Sequence, residues 1–264
     1  CPNPAERLNF TEHLLGRLLE ESETNPLVRP TTVTFSTVIN AWARSGSVTA
    51  AEKAEALFRN VQGLDENEWP DVKPNSVMYT SVIYAWANAG RPDRAESLLK
   101  EMYEDYVVHR NSEVKPNEIS FNTVLTAWSK SPSPDAVDSA EALLRKMIEL
   151  NERGLLESKP SVISYNCLLH TLARSRGYPE TVAKAETLFE EMSKLAMETG
   201  DKSMEPNLIS YTALFKILGA ARDTPDIAAI TKKWIDKAEE KGFSDEPFLR
   251  DQFQTISQRN MKDE

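Results

Sequence analysis

Five short polar side chains recur in this 264-residue sequence, each directly after a phenylalanine or tyrosine. They are Ser36, Thr80, Asn122, Asn166 and Thr212. Successive members lie 44, 42, 44 and 46 residues apart. Hydroxyl and amide groups both donate and accept hydrogen bonds. A row of them at regular intervals can therefore recognise the polar edge of a ligand without a metal ion or a nucleophile.

A second polar set follows the proline that opens each sequence block. Its members are Asn75, Asn117, Ser161 and Asn207. Asparagine and serine are also favoured at helix N-caps and in turns. Two interpretations therefore stand side by side for these polar residues: ligand recognition, and local capping or turn formation.

The sequence lacks catalytic and metal-binding patterns. The histidines His13, His109 and His170 are far apart, and no HxxxH, CxxC or glycine-rich phosphate loop occurs. The cysteines Cys1 and Cys167 are too few for a disulfide framework, which favours a reducing compartment. We interpret Cys167 as a small buried packing residue. We expect no enzymatic activity and no cofactor or metal ion.

These positions fall in five aligned blocks, which we number repeats 1 to 5. The blocks begin at Pro30, Pro74, Pro116, Pro160 and Pro206. Apolar residues in the first segment of each block recur near 3.6-residue spacing, as at Val33, Phe35, Val38, Ile39 and Trp42. This spacing predicts a helix with two apolar edges, and we place its aromatic residues in the core.

In repeats 2 to 5, the second segment of the block begins with a helix-start signal. The signal is a proline followed by an acid: Pro92-Asp93, Pro134-Asp135, Pro179-Glu180 and Pro225-Asp226. Proline fits the first helical turn, and the acid complements the helix dipole. Each block is therefore predicted to be a helical hairpin.

A hairpin of this length cannot bury both apolar edges alone, so neighbouring hairpins must stack. We predict an all-α fold, an α-solenoid of stacked antiparallel helix-turn-helix repeats that forms a superhelix with the first helices on its concave side. Residues 1–29 are expected to hold the second helix of a truncated preceding repeat, over Ala5–Glu21. Residues 30–245 hold the five repeats, and residues 246–264 hold a closing helix over Pro247–Arg259.

The repeat pattern resembles that of the pentatricopeptide repeat, although its period of 42 to 46 residues overlaps that of HEAT-type repeats. The resemblance rests on V-x-[YF]-[NST]-[TSCA]-[LV]-[IL], then A-E-x-L-[FL]-x-x-M, then [KE]-P-[NS], and extends over about residues 30–245. This chain differs from the family by extra residues between the two helices and before the closing proline. These insertions lie away from the first helix, the binding element of the family.

The resemblance implies a sequence-specific single-stranded RNA-binding protein in which each repeat recognises one base. It further implies a mitochondrion or plastid as the compartment, and a role in RNA processing, stability or translation. An aliphatic residue near the start of each first helix packs against the base in this family. The matching residues are Val33, Val77, Ile119, Ile163 and Ile209. Packing between helices is the alternative interpretation of these five.

The family recognises the base edge with the polar residue after the aromatic, paired with the last residue of the repeat. The pairs are Ser36 with Asn75, Thr80 with Asn117, Asn122 with Ser161, and Asn166 with Asn207, and Thr212 begins a fifth pair. The pairing rules of the family imply adenine, adenine, cytosine, and a pyrimidine with cytosine favoured. The expected target core is therefore 5′-A-A-C-(C/U)-3′.

The charge distribution agrees with RNA binding better than the total charge does. The chain carries a net charge of −10, but the five first-helix windows sum to +6 and the rest to −16. Arg44, Lys130 and Arg174 lie nine residues beyond the aromatic, where the resemblance implies a phosphate contact; Asn88 and Ala220 replace them in repeats 2 and 5. The general preference for cations near helix C-termini is an alternative explanation.

The second functional hypothesis is a protein-binding scaffold, a subunit of a large organellar complex. The net charge of −10 and the long polar linkers favour it. Under the first hypothesis, the partners are single-stranded RNA and other proteins of a ribonucleoprotein complex. No membrane insertion is expected, because the longest uncharged runs stop short of the roughly 18 residues that a span needs.

Overall fold

The computed structural model describes residues 4–65, 67–156, 159–175, 180–221, 224, 226–243, 246–247, 249 and 251. These residues form eleven α-helices and no β-strand, which confirms the predicted all-α class. The helices are α1 Pro4–Thr24, α2 Thr32–Ala43, α3 Val48–Gln62, α4 Ser76–Asn88, α5 Pro92–Val107, α6 Glu118–Lys130, α7 Ala136–Glu152, α8 Val162–Arg174, α9 Thr181–Thr199, α10 Leu208–Ala220 and α11 Ile227–Glu240.

The first helices of the repeats, α2, α4, α6, α8 and α10, each begin two residues after the block-opening proline. Asparagine caps three of them, because its Oδ1 accepts a hydrogen bond from a backbone N–H of the first turn. Asn75 accepts from Met78 at 2.9 Å, Asn117 from Ser120 at 2.9 Å, and Asn207 from Ile209 and Ser210 at 3.0 and 3.2 Å.

The second helices are α3, α5, α7, α9 and α11, and the predicted start is right for only one of them. Pro92 is the first residue of α5, but α7, α9 and α11 begin after the acid of the start signal. Glu180 and Asp226 have left-handed φ angles of 59° and 55°, so they cannot belong to a right-handed helix. Pro179 and Pro225 lie outside the described residues.

The first compact unit comprises Cys1–Ser131 and Leu150–Ser158. In it, α2, α4 and α6 pack side by side, α3 and α5 pack against this layer, and α1 packs on α2. Phe58 and Tyr79 meet edge to face in the core with ring centroids 4.6 Å apart. The aromatic residues of the first helices and the tryptophans Trp42, Trp86 and Trp128 are buried, as predicted.

The second compact unit comprises Pro132–Glu149 and Lys159–Glu264. Here α8 and α10 pack side by side, α9 packs against both, and α11 packs on α10. Phe189 contacts Tyr211 and Trp234 at centroid distances of 5.2 and 4.9 Å. Both units thus combine a layer of first helices with a layer of second helices. The superhelical path and the concave position of the first helices stay predictions.

The two predicted terminal elements differ in how much of them is described. Helix α1 contains the predicted Ala5–Glu21 segment, and its assignment to a truncated repeat stays a prediction. The predicted closing helix, 247–259, lies almost entirely outside the described residues, as do 252–264 as a whole.

Candidate nucleic-acid interface

The five aliphatic residues proposed to contact bases are all exposed. Each is the second residue of a first helix, and between 53% and 73% of its surface is accessible. They are Val33, Val77, Ile119, Ile163 and Ile209. The interpretation of these residues as packing between helices is therefore wrong. A β-branched side chain has few rotamers, so each exposed residue offers a stiff apolar surface on which a flat ligand can pack.

The hydroxyl residues that follow the aromatics have a fixed hydrogen-bonding direction. Ser36 donates to the carbonyl of Thr32 at 2.7 Å, and Thr80 donates to that of Ser76 at 2.7 Å. Thr212 makes the equivalent bond at 2.8 Å. Because each hydroxyl proton is already donated to its own helix, the oxygen lone pairs remain for a ligand.

The capping asparagines leave a hydrogen-bond donor for a ligand, whereas the hydroxyl residues leave an acceptor. In Asn75 and Asn117 the Oδ1 atom accepts from the backbone, so the Nδ2 group remains as a donor. The capping interpretation is therefore correct for these residues, and it leaves half of each amide for a ligand. A hydroxyl acceptor paired with an amide donor forms a complementary surface for a group that presents one donor beside one acceptor.

Repeat 2 brings its proposed residues together at one groove in the first unit. The groove has a volume of about 290 Å³. Val77, Thr80, Asn117 and Ile119 all line it. Thr80 and Asn117, the proposed pair, thus line one groove together with two of the exposed aliphatic residues.

Five further groove residues were not predicted from the sequence. Asn40 and Tyr84 line the same groove, together with Ser76, Ser81 and Thr123. Tyr84 was missed because a tyrosine in an apolar helix suggests core packing. The available signal was its register, since Asn40 and Tyr84 each lie five residues after the aromatic of their helix.

The two residues of the proposed repeat 4 pair are in contact, and one of them, Asn166, is buried. Asn166 donates from Nδ2 to Oδ1 of Asn207 at 3.4 Å, and its own Oδ1 accepts from Ser210 at 2.7 Å. Only 6% of Asn166 is exposed. This arrangement differs from that of Thr80 and Asn117, whose hydrogen bonds are to the backbone, because Asn166 and Asn207 are bonded to each other.

The proposed pair of repeat 3 is divided between the two compact units. Asn122 lies in the first unit, is half-buried, and donates from Nδ2 to Glu118 at 3.1 Å. Ser161 is the N-cap of α8 in the second unit, and its backbone N–H donates to Ser164 at 3.1 Å. Unlike the capping asparagines, its side-chain Oγ is buried and accepts no hydrogen bond from the described residues of the first turn.

The three cations proposed to contact phosphate are exposed and lie at helix C-termini. Arg44 is the C-cap of α2, and Lys130 and Arg174 are the last residues of α6 and α8. The helix-dipole explanation therefore fits their position. Each also lies eleven residues after the exposed aliphatic residue, which is three helical turns along about the same face.

In repeat 2 the residue at the cation register is already engaged. Asn88 donates from Nδ2 to the backbone carbonyl of Ala43 at 3.0 Å. This bond joins α4 to the end of α2. Asn88 therefore stabilises helix packing here and offers no cation to a phosphate.

The acidic second helices neutralise one another through ion pairs between successive repeats. The resolved pairs include Arg94–Glu55 at 2.9 Å, Arg145–Glu191 at 2.8 Å and Lys233–Glu186 at 2.8 Å. Lys184 and Glu141 pair in the same way. Many of the carboxylates that make the chain acidic are thus bound to cations on the second helices.

His170 lies on the first helix α8 of the second unit. Burial lowers the pKa of His170, and the nearby Lys216 charge on α10 lowers it further. His170 is only partly exposed. We therefore expect a neutral imidazole at pH 7, able both to donate and to accept a hydrogen bond.

The described residues contain neither a metal-binding cluster nor a membrane-spanning helix. No group of three or more His, Cys, Asp or Glu side chains within those ranges is arranged to hold a metal ion. No described helix combines the length and the hydropathy that a membrane span requires. Cys167 is buried, as predicted.

One segment of the chain matches a known protein family. Residues 64–131, which span α4, α5 and α6, match the family model of the pentatricopeptide repeat domain. The groove residues of repeat 2 all fall within this segment except Asn40. A comparison with curated proteins found no match. Residues 64–131 are therefore similar to a pentatricopeptide repeat domain.

Proposed function

We propose that this protein binds single-stranded RNA in a sequence-specific manner, with one base recognised by each repeat. The groove of repeat 2 carries the proposal. It combines the exposed aliphatic residues Val77 and Ile119 with the polar pair Thr80 and Asn117, inside the segment that matches a pentatricopeptide repeat domain. Proteins with this domain are generally RNA-binding.

The polarity of the pair suits an amino base. Thr80 offers an acceptor and Asn117 a donor, because their other hydrogen-bonding groups are engaged by the backbone. The Watson–Crick edges of adenine and cytosine each present an amine donor beside a ring acceptor. This complementarity supports an amino base, and the family rules give adenine for the pair of Thr80 with Asn117.

The biological setting is proposed from the family. The protein acts on an organellar transcript, in a mitochondrion or plastid, in RNA processing, stability or translation. Its further partners are other proteins of a ribonucleoprotein complex in that compartment. The expected target core is 5′-A-A-C-(C/U)-3′.

The test is selection of RNA oligonucleotides from a random pool by the parent protein and by a double variant, Thr80→Asn with Asn117→Ser. The variant copies the pair of repeat 3, so the second base should change from adenine to cytosine. Serine at position 117 keeps an N-cap. The reciprocal variant, Asn122→Thr with Ser161→Asn, should change the third base from cytosine to adenine.

The matched control is Thr187→Asn, on the second helix α9. Thr187 is exposed and donates to the carbonyl four residues earlier, as Thr80 does. It should leave the selected sequence unchanged. A selected sequence that stays the same in both double variants would contradict the base-recognition proposal.

A protein-binding scaffold is the second candidate function. The row of exposed aliphatic residues and the net charge of −10 favour it. Under this alternative, the parent protein selects no RNA sequence at any salt concentration. Val77→Ser would then weaken binding to a protein partner and leave RNA retention at its background level.

A further inference from the structure

Each first helix carries a hydrogen-bonding side chain five residues after its aromatic. These residues are Asn40, Tyr84, Thr126, His170 and Lys216. They have different sizes and charges, but all can donate a hydrogen bond. Neither capping nor base recognition accounts for this register, because it lies in the middle of the helix, one turn beyond the base-recognition position.

Tyr84 is the member of this row with the clearest surroundings. It lines the repeat 2 groove and is 41% exposed. Its hydroxyl has no hydrogen-bond partner among the residues that the structure describes. An exposed phenol offers both a donor and an acceptor to a ligand in the groove.

Helix geometry places Tyr84 between two other proposed contacts. A helix rises about 1.5 Å per residue, so Tyr84 lies about 10 Å along α4 from Val77. The phosphate register, occupied here by Asn88, lies about 16 Å from Val77. A nucleotide whose base packs on Val77, and whose backbone runs toward the end of α4, brings its sugar toward Tyr84.

Repeat 2 also lacks a cation that could contact the phosphate backbone of the RNA. Asn88 stands at the cation register, and its amide is bound to the carbonyl of Ala43. Tyr84 and Ser81 are the groove-lining polar side chains on α4 beyond Thr80, and Tyr84 lies nearer to the end of the helix. A neutral hydroxyl is better suited to a sugar hydroxyl than to a phosphate, because it adds no charge.

We propose that the hydroxyl of Tyr84 hydrogen-bonds the ribose 2′-hydroxyl of the nucleotide held by repeat 2, so that this repeat distinguishes RNA from DNA. The inference rests on the proposed RNA-binding function. The 2′-hydroxyl is the group by which a protein separates the two nucleic acids at a given site. Tyr84 adds selection of the sugar to the recognition of the base by Thr80 and Asn117.

The experiment is a double-mutant cycle between Tyr84→Phe and one 2′-deoxynucleotide. The parent and the variant are titrated with an oligonucleotide containing 5′-AACC-3′, all-RNA or with 2′-deoxyadenosine at the second position. Tyr84→Phe should weaken all-RNA binding by roughly threefold to tenfold, the worth of one hydrogen bond. It should have no further effect on the oligonucleotide deoxy-substituted at the second position.

Two controls make the result specific. A 2′-deoxy substitution at the fourth position should leave the effect of Tyr84→Phe unchanged. Tyr106→Phe, on the second helix α5, should change the affinity for no oligonucleotide.

The outcomes separate this inference from the proposed function. Equal weakening of all oligonucleotides by Tyr84→Phe would overturn the ribose contact, and so would an unchanged affinity for all-RNA. In either case sequence-specific binding by the parent would still support the proposed function. Absence of RNA binding by the parent would overturn both.

Discussion

The indole Nε1 of Trp86 donates a 2.7 Å hydrogen bond to Oε2 of Glu55. It joins the first helix of repeat 2 to the second helix of repeat 1. Trp128 and Glu96 repeat this link one unit later, at 2.8 Å. Both indoles are buried, so each bond satisfies a donor that would otherwise lack a partner away from water. The tryptophan and the A-E glutamate of the repeat pattern thus stabilise the stacking of neighbouring hairpins.

Replacement of Glu55 by leucine should lower the free energy of unfolding by about 1 to 3 kcal/mol, because it leaves the buried Trp86 donor unpaired. It also removes the acceptor of Arg94, whose guanidinium bonds both Glu55 oxygens. Glu55→Gln should be milder, because the amide oxygen still accepts. Denaturant titration measures both, with Glu198→Leu as the control at an exposed pair. Equal losses for Glu55→Leu and Glu198→Leu would contradict this role of Trp86.

Repeat 4 lacks the tryptophan and has a cavity at the equivalent place. Leu172 stands at the tryptophan register, and a cavity of about 270 Å³ beside it is lined by Glu141 and Lys184, among other residues. Leu172→Trp should fill this space and bring an indole donor toward Glu141. A gain of about 1 kcal/mol would raise the melting temperature by roughly 2 to 4 °C in a protein of this size.

The control for the cavity prediction is Leu169→Trp. Leu169 is fully buried, and it is not among the residues that line the cavity. Overpacking there should lower stability by about 1 to 3 kcal/mol. If thermal denaturation shows the same loss for both tryptophan variants, the cavity does not accommodate an indole.

The salt dependence of RNA binding should be shallow. If Arg44, Lys130 and Arg174 meet three phosphates, the slope of log K against log salt should be about −2. The triple alanine variant should flatten this slope and weaken binding to all sequences alike, because phosphate contacts carry little sequence information. Fluorescence anisotropy over a salt series provides the measurement. A triple variant that binds as tightly as the parent at low salt would favour the scaffold function instead.

Stability should fall at mildly acidic pH through His170. Burial and the Lys216 charge lower its pKa in the folded protein, so the unfolded chain binds more protons between that lowered value and the ordinary pKa of about 6.5. The contribution is fully present above about pH 6.5 and is lost as the pH decreases through this interval. Between pH 7 and pH 5, the parent should therefore lose more stability than His170→Gln in denaturant titrations. Parallel losses in the two proteins would show that His170 does not titrate with folding.

Local signals in the sequence predicted most of the fold. The first helices begin where a proline and a capping residue place them, because capping depends on residues within one turn. The second helices α9 and α11 begin later than predicted, since Glu180 and Asp226 adopt left-handed backbone conformations. A proline followed by an acid does not encode that conformation, which depends on how the chain reverses direction between packed helices.

The site was predicted less completely, because exposure depends on neighbouring hairpins. Periodicity placed Val77 on an apolar edge but did not show whether that edge was covered. Asn166 followed the same pattern as Thr80, yet it is buried against Asn207 and Ser210 in the neighbouring repeat. Its longer side chain reaches the next N-cap, and this contact depends on helix packing that no single repeat specifies.

Asn75 and Asn117 each have two roles at once. Each starts the next first helix and also supplies half of the proposed base contact. Replacement by a residue that cannot cap would cost about 1 kcal/mol in folding, whatever it did for RNA affinity. The repertoire for changing the target sequence at these positions is therefore confined to a few small polar residues, and a redesigned repeat must keep its helix start to gain a new base.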